Sequence, residues 1–377
     1  MSFVKTGAFR GLNSDSDDVK IDSSGNVAIV NGNIVNKNLI INGGMNVWQR
    51  ATSQASISST STDGYVTADR WTTYNNSLGT WTQSQSTDVP TAQGFGYSLK
   101  MDCTTADASP AAGDELVITQ KIEAQNLQHL LYGSSSPKSI TLSFWVKSNK
   151  TGTYIINLVR TDGGTRSISK SYTISSANTW EKKEINFGGD TTNAIANDNG
   201  SGIDINFYLA AGSTYTSGTL ATSWESYTAA NRAVGQVNLA DSTSNEWYMT
   251  GCQLEVGENA SGFEFEPYQI VLRKCQRYYE TGKINISSFG QTGSTDTHAY
   301  QLAHFAEQKR VVPSITKSNA SFTTLSISGS AQWTNLTTSD AYDDEQIHGF
   351  TAGSKVGTSA GTAILKANYD FAADSEL

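Results

Sequence analysis

Apolar residues recur at every second position along most of this chain, the period of a strand with one buried face. Leu116, Ile118, Gln120 and Ile122 share a face. Ile140, Leu142, Phe144 and Val146 share another, with Thr141, Ser143, Trp145 and Lys147 opposite. Tyr154, Ile156 and Leu158 follow, then Ile185 and Phe187, then Ile203, Ile205, Phe207 and Leu209. Between Trp247 and Leu254 the alternation sets Tyr248, Thr250, Cys252 and Leu254 against Trp247, Met249, Gly251 and Gln253. Such strands predict two antiparallel sheets packed face to face, an all-β sandwich rather than a parallel α/β sheet. The period breaks twice. Leu127, Leu130 and Leu131 stand at helical spacing before Gly133, and Val271, Cys275 and Tyr278 do so behind Pro267, a residue suited to a first helical turn. Arg273, Lys274 and Arg277 lie off that second stripe and read as a solvated helix face.

The pattern divides the chain into three. Residues 1–37 hold two short alternating pieces broken by SSGN and NGN turn signals, too little apolar surface to fold alone. They read as an extended arm that orders against a partner or a sister chain, or as a tail. Residues 38–272 carry the sandwich pattern. Residues 273–377 begin as a linker helix and continue as a second, small β-rich domain pegged by Ile284, Ile286, Val311, Val312, Ile315, Leu325 and Ile327. The long connections 188–202 and 211–239 lie where a sandwich rim carries binding surfaces.

Composition narrows the class. Charged residues make up 16% of the chain, against roughly 25% in average domains. A formal charge of −9 argues against a nucleic-acid binder, because phosphate contacts require clustered Lys and Arg. Cys103, Cys252 and Cys275 show no metal-ligand spacing and read as reduced, buried thiols. The N-terminus has no apolar signal region and no run is long enough to span a membrane, so synthesis and folding in the cytoplasm are expected. P-loop, GxGxxG and HExxH motifs are missing, and no pair of carboxylates is placed across a cleft. The sequence therefore predicts no enzyme.

Three stretches carry a resemblance: NLIINGGMNVWQR with DGYVTADRW, SITLSFWVKSNKTGTYIINL, and WYMTGCQLEVGENASGFEFEPY with KCQRYYE. Together, over about 38–280, they resemble bacteriophage virion proteins, mainly tail-fibre or tail-associated, built on a jelly roll similar to carbohydrate-binding modules. The ending FAADSEL is similar to the β-structured tail that follows CQRYYE in such proteins. The resemblance implies a non-enzymatic structural protein of the virion, attached to other virion proteins through residues 1–37, homotrimeric, and holding host surface glycans. A ligand-free adaptor, tail-tube or head-decoration protein is the alternative, and a polysaccharide-degrading tail enzyme the third reading. Jelly rolls of this kind hold a structural Ca2+ through oxygen ligands, for which Asp63, Asp69, Asp102 and Glu255 would be the candidates. With no dense acidic loop in the sequence, no cofactor is expected.

Sugar binding needs flat aromatic rings against pyranose faces and polar side chains for hydroxyls. Outward or loop positions offer Trp81, Trp145, Tyr208, Tyr215, Trp224 and Tyr227. Trp224 and Tyr227, with Arg232 beside them in the 211–239 connection, rank first, followed by Tyr215 and Trp145. The competing reading packs these aromatics against a neighbouring chain or the second domain. Trp48, Trp71, Phe144 and Trp247 are expected in the core.

Overall fold

A computed structural model of the chain describes residues 37–285, 304–318 and 370–377 in full, and elsewhere the backbone of strands only. Strands β1 (Ala8–Phe9), β2 (Val19–Ile21) and β3 (Val27–Ile29) pair into a small antiparallel sheet. The side chains of the arm, and with them its expected attachment role, lie outside the described residues.

The sandwich follows. Its first strands are β4 (Ser53–Ile57), β5 (Thr72–Asn76), β6 (Thr80–Ser86), β7 (Ser98–Thr105), β8 (Glu115–Glu123) and β9 (Ile140–Ser148). Next come β10 (Gly152–Arg160), β11 (Arg166–Ile174), β12 (Glu181–Phe187), β13 (Ser201–Ala211), β14 (Glu225–Ser226) and β15 (Glu246–Val256). They make two six-stranded antiparallel sheets, ordered β14-β11-β10-β13-β8-β5 and β12-β9-β15-β7-β6-β4. This is a jelly-roll β-sandwich. Phe207 lies in the aromatic core, its ring centroid 6.0 Å from Trp71, 5.3 Å from Phe144 and 6.4 Å from Trp247. Burying each such side chain contributes about 1.5–3 kcal/mol, so these rings do much to hold the two sheets together.

Trp81 is fully buried, not outward. Its indole nitrogen donates to Leu78 O at 2.8 Å, and Trp81 and Gln83 form the inward set of β6. The alternation of Trp247–Leu254 also fails, for a definite reason. The register of β15 against β9 slips between Thr250 and Gln253, and Gly251 there has φ 64°. Such a bulge inserts a residue and exchanges the faces beyond it. Trp247 and Met249 therefore share the core with Cys252 and Leu254. A Cβ on Gly251 would come 2.5 Å from the Phe95 ring, so glycine is required twice over.

The first helical stretch is a 3-10 helix, Ala124–Leu130, which Leu131 closes in a left-handed conformation with φ 56°. The three cysteines are free and buried. Helix α1 (Ser213–Thr216) is a single turn, and α2 (Tyr268–Gln276) begins directly after Pro267 and buries Val271 and Cys275 against Val47.

Beyond α2 run β16 (Tyr279–Thr292), β17 (Thr297–His304), β18 (Ser314–Ser326), β19 (Trp333–Leu336), β20 (Asp340–Gln346), β21 (Gly349–Val356) and β22 (Gly361–Asp374). They form a sheet ordered β16-β22-β18-β19 and another ordered β17-β21-β20. The side chains of Ile286, Leu325 and Ile327 lie outside the described residues.

The two β units meet at a polar and aromatic junction to which the stretches that carry the resemblance contribute most of the residues. Arg70, 1% exposed, pairs with Glu376, donates to Lys121 O at 2.6 Å and stacks 3.5 Å from the Tyr278 ring centre. Arg50 stacks 3.6 Å from the Tyr279 ring and reaches Asp374 at 3.1 Å and Glu376 at 3.3 Å. Arg277 grips the buried Glu123 carboxylate with two donors, at 2.7 and 2.9 Å, so it is not part of a solvated face. Lys309, also buried, pairs with Glu280 at 2.6 Å and donates to Gln276 O. Arg310 donates to the carbonyls of Ser375 and Glu376 at 2.8 and 2.6 Å.

Removing one partner of a buried ion pair strands the other charge without water. Glu376→Ala is therefore expected to lower unfolding stability by about 3–5 kcal/mol. Asp374→Ala, whose carboxylate is 46% exposed, should stay within about 1 kcal/mol of wild type. Urea titrations of the full chain read both; equal losses would refute the account.

Asp69 adds a pH dependence. Burial lifts its carboxyl from 3.8 to about 6, only partly opposed by hydrogen bonds from Gln49 and by Arg50. Between those values the folded state holds more protons than the unfolded one, so this contribution is favourable at low pH and is lost as pH rises through about 4 to 6. Stability relative to Asp69→Asn should thus fall by on the order of 3 kcal/mol across that window. Parallel stability-against-pH curves for the two proteins would contradict it.

Candidate functional site

Val117, Ile155 and Tyr208 point away from the core on adjacent strands β8, β13 and β10, and uncovered they would leave an apolar patch in water. The connection after β13 covers it. Residues 212–238 fold back over the sheet and set Ala233, Tyr215 and Leu220 on these side chains. The covering segment is fixed by hydrogen bonds rather than by regular structure. Ala233 N donates to Tyr215 O at 2.8 Å, and Ile155 N to Gln236 Oε1 at 2.8 Å. Ser169 Oγ donates to Arg232 O at 2.8 Å, and Asn231 Nδ2 to Glu225 Oε1 at 2.8 Å.

Arg232 is the hub of the edge this loop leaves. Its Nη1 donates to the Tyr227 hydroxyl at 2.8 Å and its Nε to Asn157 Oδ1 at 3.2 Å. The guanidinium carbon lies 5.1 Å from the Tyr227 ring centre, 5.3 Å from Tyr208 and 5.7 Å from Tyr215. Glu115 Oε2 is 4.0 Å from Nη1. Burial works against the Arg232 charge, but the phenols of Tyr208 and Tyr227 and the Glu115 carboxylate outweigh it and hold the guanidinium above its ordinary range. Burial also raises Glu115, with Arg232 opposing. Tyr74, on the neighbouring strand β5, is raised by its partial burial and then by the carboxylates of Glu115 and Asp63.

Two rings of this group stay open to solvent: Tyr74 is 40% exposed and Tyr227 39%. Tyr208 is fully buried, so this aromatic serves as floor under the loop and not as a contact surface. The arrangement offers two phenol rings on one rim, with the Arg232 guanidinium between them and the Glu115 carboxylate buried behind it. Those groups can stack on an apolar ring face and exchange hydrogen bonds with hydroxyls.

Of the five residues the sequence ranks, Tyr215, Tyr227 and Arg232 come together here. Trp224 does not join them. Its indole nitrogen donates to Gly188 O at 2.7 Å and its ring meets Tyr132 edge-on at 5.8 Å, which ties the loop to the turn before Asp190. Asp190 is itself held by Arg160 at 2.9 Å and Arg166 at 2.8 Å. Trp145 is on the other sheet, half-buried between Lys182 and Thr250 of the flanking strands. Tyr74, Glu115 and Asn157 were missed. β5 reads TTYNN, in which polar Thr73 and Asn75 are buried and Tyr74 faces out, so the sequence pattern does not mark Tyr74 and nothing local places it beside residue 232.

The carboxylates considered for Ca2+ do not converge. Asp63 accepts from Asn75 N at 2.9 Å, Asp69 from Gln49 N at 2.8 Å, and Glu255 from Ser261 N at 2.7 Å. Among the described residues no group of three or more His, Cys, Asp or Glu is placed to hold a metal ion.

No family model and no curated protein matches the sequence. Solved structures that align with part of this chain include the enzymatically active domain of tailspike protein 4 from bacteriophage CBA120. It aligns at 14% identity over 59% of this chain and 22% of its own, with a TM-score of 0.31. This chain thus spans less than a quarter of that protein's length. The N-terminal cellulose-binding domain of Cellulomonas fimi β-1,4-glucanase C aligns at 10% identity over 51% of this chain and 90% of its own, with a TM-score of 0.27. A family 11 carbohydrate-binding module from Clostridium thermocellum, in complex with a mixed-linked tetrasaccharide, aligns at 12% identity over 51% and 91%, with a TM-score of 0.28.

Proposed function

We propose that this chain is a non-enzymatic structural protein of a phage virion, tail-fibre or tail-associated, whose jelly roll holds host surface glycans on the rim around Arg232. Residues 1–37 join it to other virion proteins, and it works as a homotrimer. The observation that carries the glycan reading is the pair of open rings, Tyr74 and Tyr227, flanking the Arg232–Glu115 pair. The virion reading is supported by the resemblance of the three sequence stretches, whose Arg50, Arg70 and Arg277 all serve the junction between the two β units. A joint between modules held by buried ion pairs and ring contacts suits an extended appendage. The rival reading, an adaptor without a ligand, gains from Trp224 being spent on holding its own loop.

Binding of the purified full chain to host surface polysaccharide separates the two. Tyr74→Ala and Tyr227→Ala are each expected to weaken binding about tenfold while leaving the circular dichroism spectrum unchanged. No binding by the wild type favours the adaptor, and release of reducing ends would replace both readings with the enzyme. Antibody against the chain should label tail appendages of intact virions, and label on capsids alone would contradict a tail role. Light scattering should return the mass of three chains; a monomer with the arm intact would overturn the trimer.

A further inference from the structure

We infer a second binding site, for a neutral saccharide, in the cleft between the 42–50 turn, β6, the loop before β7 and the start of α2. The cleft has a volume of about 580 Å³ and is lined by Asn46, Trp48, Gln85, Tyr97 and Tyr268. Small-ligand sites fall in the range of about 300–1,000 Å³. Three of the five lining residues are aromatic, two are carboxamides, and none carries a charge.

That composition selects the ligand class. Aromatic rings without charged neighbours favour an apolar C–H face, and carboxamides donate to and accept from hydroxyls without preferring an anion or a cation. A neutral pyranose presents both an apolar face and hydroxyls. A phosphate, a carboxylated sugar or a basic peptide would find no counter-charge among the lining residues.

The Trp48 ring and the backbone that carries the other lining side chains are held from outside the cleft, so the ordering cost of binding falls on those side chains alone. Trp48 packs against the core and donates its indole N–H to Met45 O at 2.7 Å. The Tyr97 carbonyl accepts from Thr250 Oγ1 at 2.8 Å, and Gln85 N donates to Thr52 O at 2.8 Å. Tyr268 is the first residue of a helix whose Val271 and Cys275 are buried. Tyr97 and Tyr268 are nevertheless 37% and 52% exposed. Among the described residues neither the Asn46 nor the Gln85 side-chain amide has an internal hydrogen-bond partner, so both remain available to a ligand. The site is independent of the Arg232 rim, since Gln85 and Tyr97 belong to the β12-β9-β15-β7-β6-β4 sheet and its approach, whereas Tyr74 is on the other sheet.

The test is a titration of the full chain with neutral oligosaccharides of glucose, galactose and N-acetylglucosamine, followed by calorimetry and tryptophan fluorescence. At least one should bind, with affinity lowered about tenfold by Tyr97→Ala and by Tyr268→Ala, and unchanged by Tyr74→Ala or Tyr227→Ala. Both cleft variants remove exposed side chains, and a circular dichroism spectrum confirms the fold. The inference fails if no oligosaccharide binds at millimolar concentration. It also fails if binding ignores Tyr97→Ala and Tyr268→Ala, or if those substitutions dissociate an oligomer, which would make the cleft a contact between copies. Loss of binding only in Tyr74→Ala and Tyr227→Ala would overturn the cleft and leave the rim standing.

Discussion

A guanidinium removed from water must find all its compensation inside the protein, and Arg70 shows how far that demand reaches. Its backbone is held at φ 71°, a conformation L residues rarely adopt, so the position is costly before the charge is counted. Burial alone would lower the affinity of Arg70 for its proton, and Glu376 reverses that. The acid comes from 306 residues further along the chain, the stacking partner Tyr278 from the stretch after α2, and the carbonyl acceptor Lys121 O from β8. The jelly roll and the residues just past the closing strand of the following unit therefore share one charge balance. Ser375 N, donating to Tyr278 O at 2.8 Å, and Arg310 N, donating to Arg277 O at 3.0 Å, add backbone bonds to the same joint.

This arrangement explains why motif residues that look like core and turn positions are so rich in Arg, Tyr and Glu. In DRW, CQRYYE and FAADSEL apolar members fill the cores: Trp71 and Cys275 are fully buried and Phe371 nearly so. Several of the polar members between them are turned away from water, although Asp374 stays exposed. Arg50 and Arg70 meet Glu376 and the rings of Tyr279 and Tyr278, Arg277 meets Glu123, and Glu280 meets Lys309. A one-dimensional pattern can mark Arg277 as off the apolar stripe of α2, but it cannot say that Glu123 waits there.

The two-sheet architecture was legible because alternation is local and the core uses it directly: Ile118, Phe144, Ile156 and Phe207 all face inward as spaced. Legibility failed where a single residue shifted the phase, at the Gly251 bulge, and at Trp81, whose strand turned its ring inward. It failed more widely at the candidate rim. Tyr215, Tyr227 and Arg232 are near in sequence and could be grouped, whereas Tyr74, Glu115 and Asn157 come from three strands whose adjacency only the sheet order creates. Trp224 was misleading for the opposite reason: it shares the loop, yet the chain reverses between residues 224 and 232, and the indole is drawn to Gly188.

The loop over the outer sheet face decides what kind of surface remains. Left bare, Val117, Ile155 and Tyr208 would have given a broad apolar floor, and the paired polar side chains Thr119 and Asn206, bonded at 2.8 Å, would have continued it. Residues 212–238 convert the apolar part of that floor into a small second core. Open aromatic area is then confined to the loop's edge, and the guanidinium that fastens the edge is also the group presented beside it. Any ligand that competes for Arg232 must leave Asn157 and the Tyr227 hydroxyl satisfied, which favours stacking on the tyrosine rings over displacing their hydrogen bonds. The neutral cleft on the other sheet carries no such conflict, because its carboxamides hold nothing else in place.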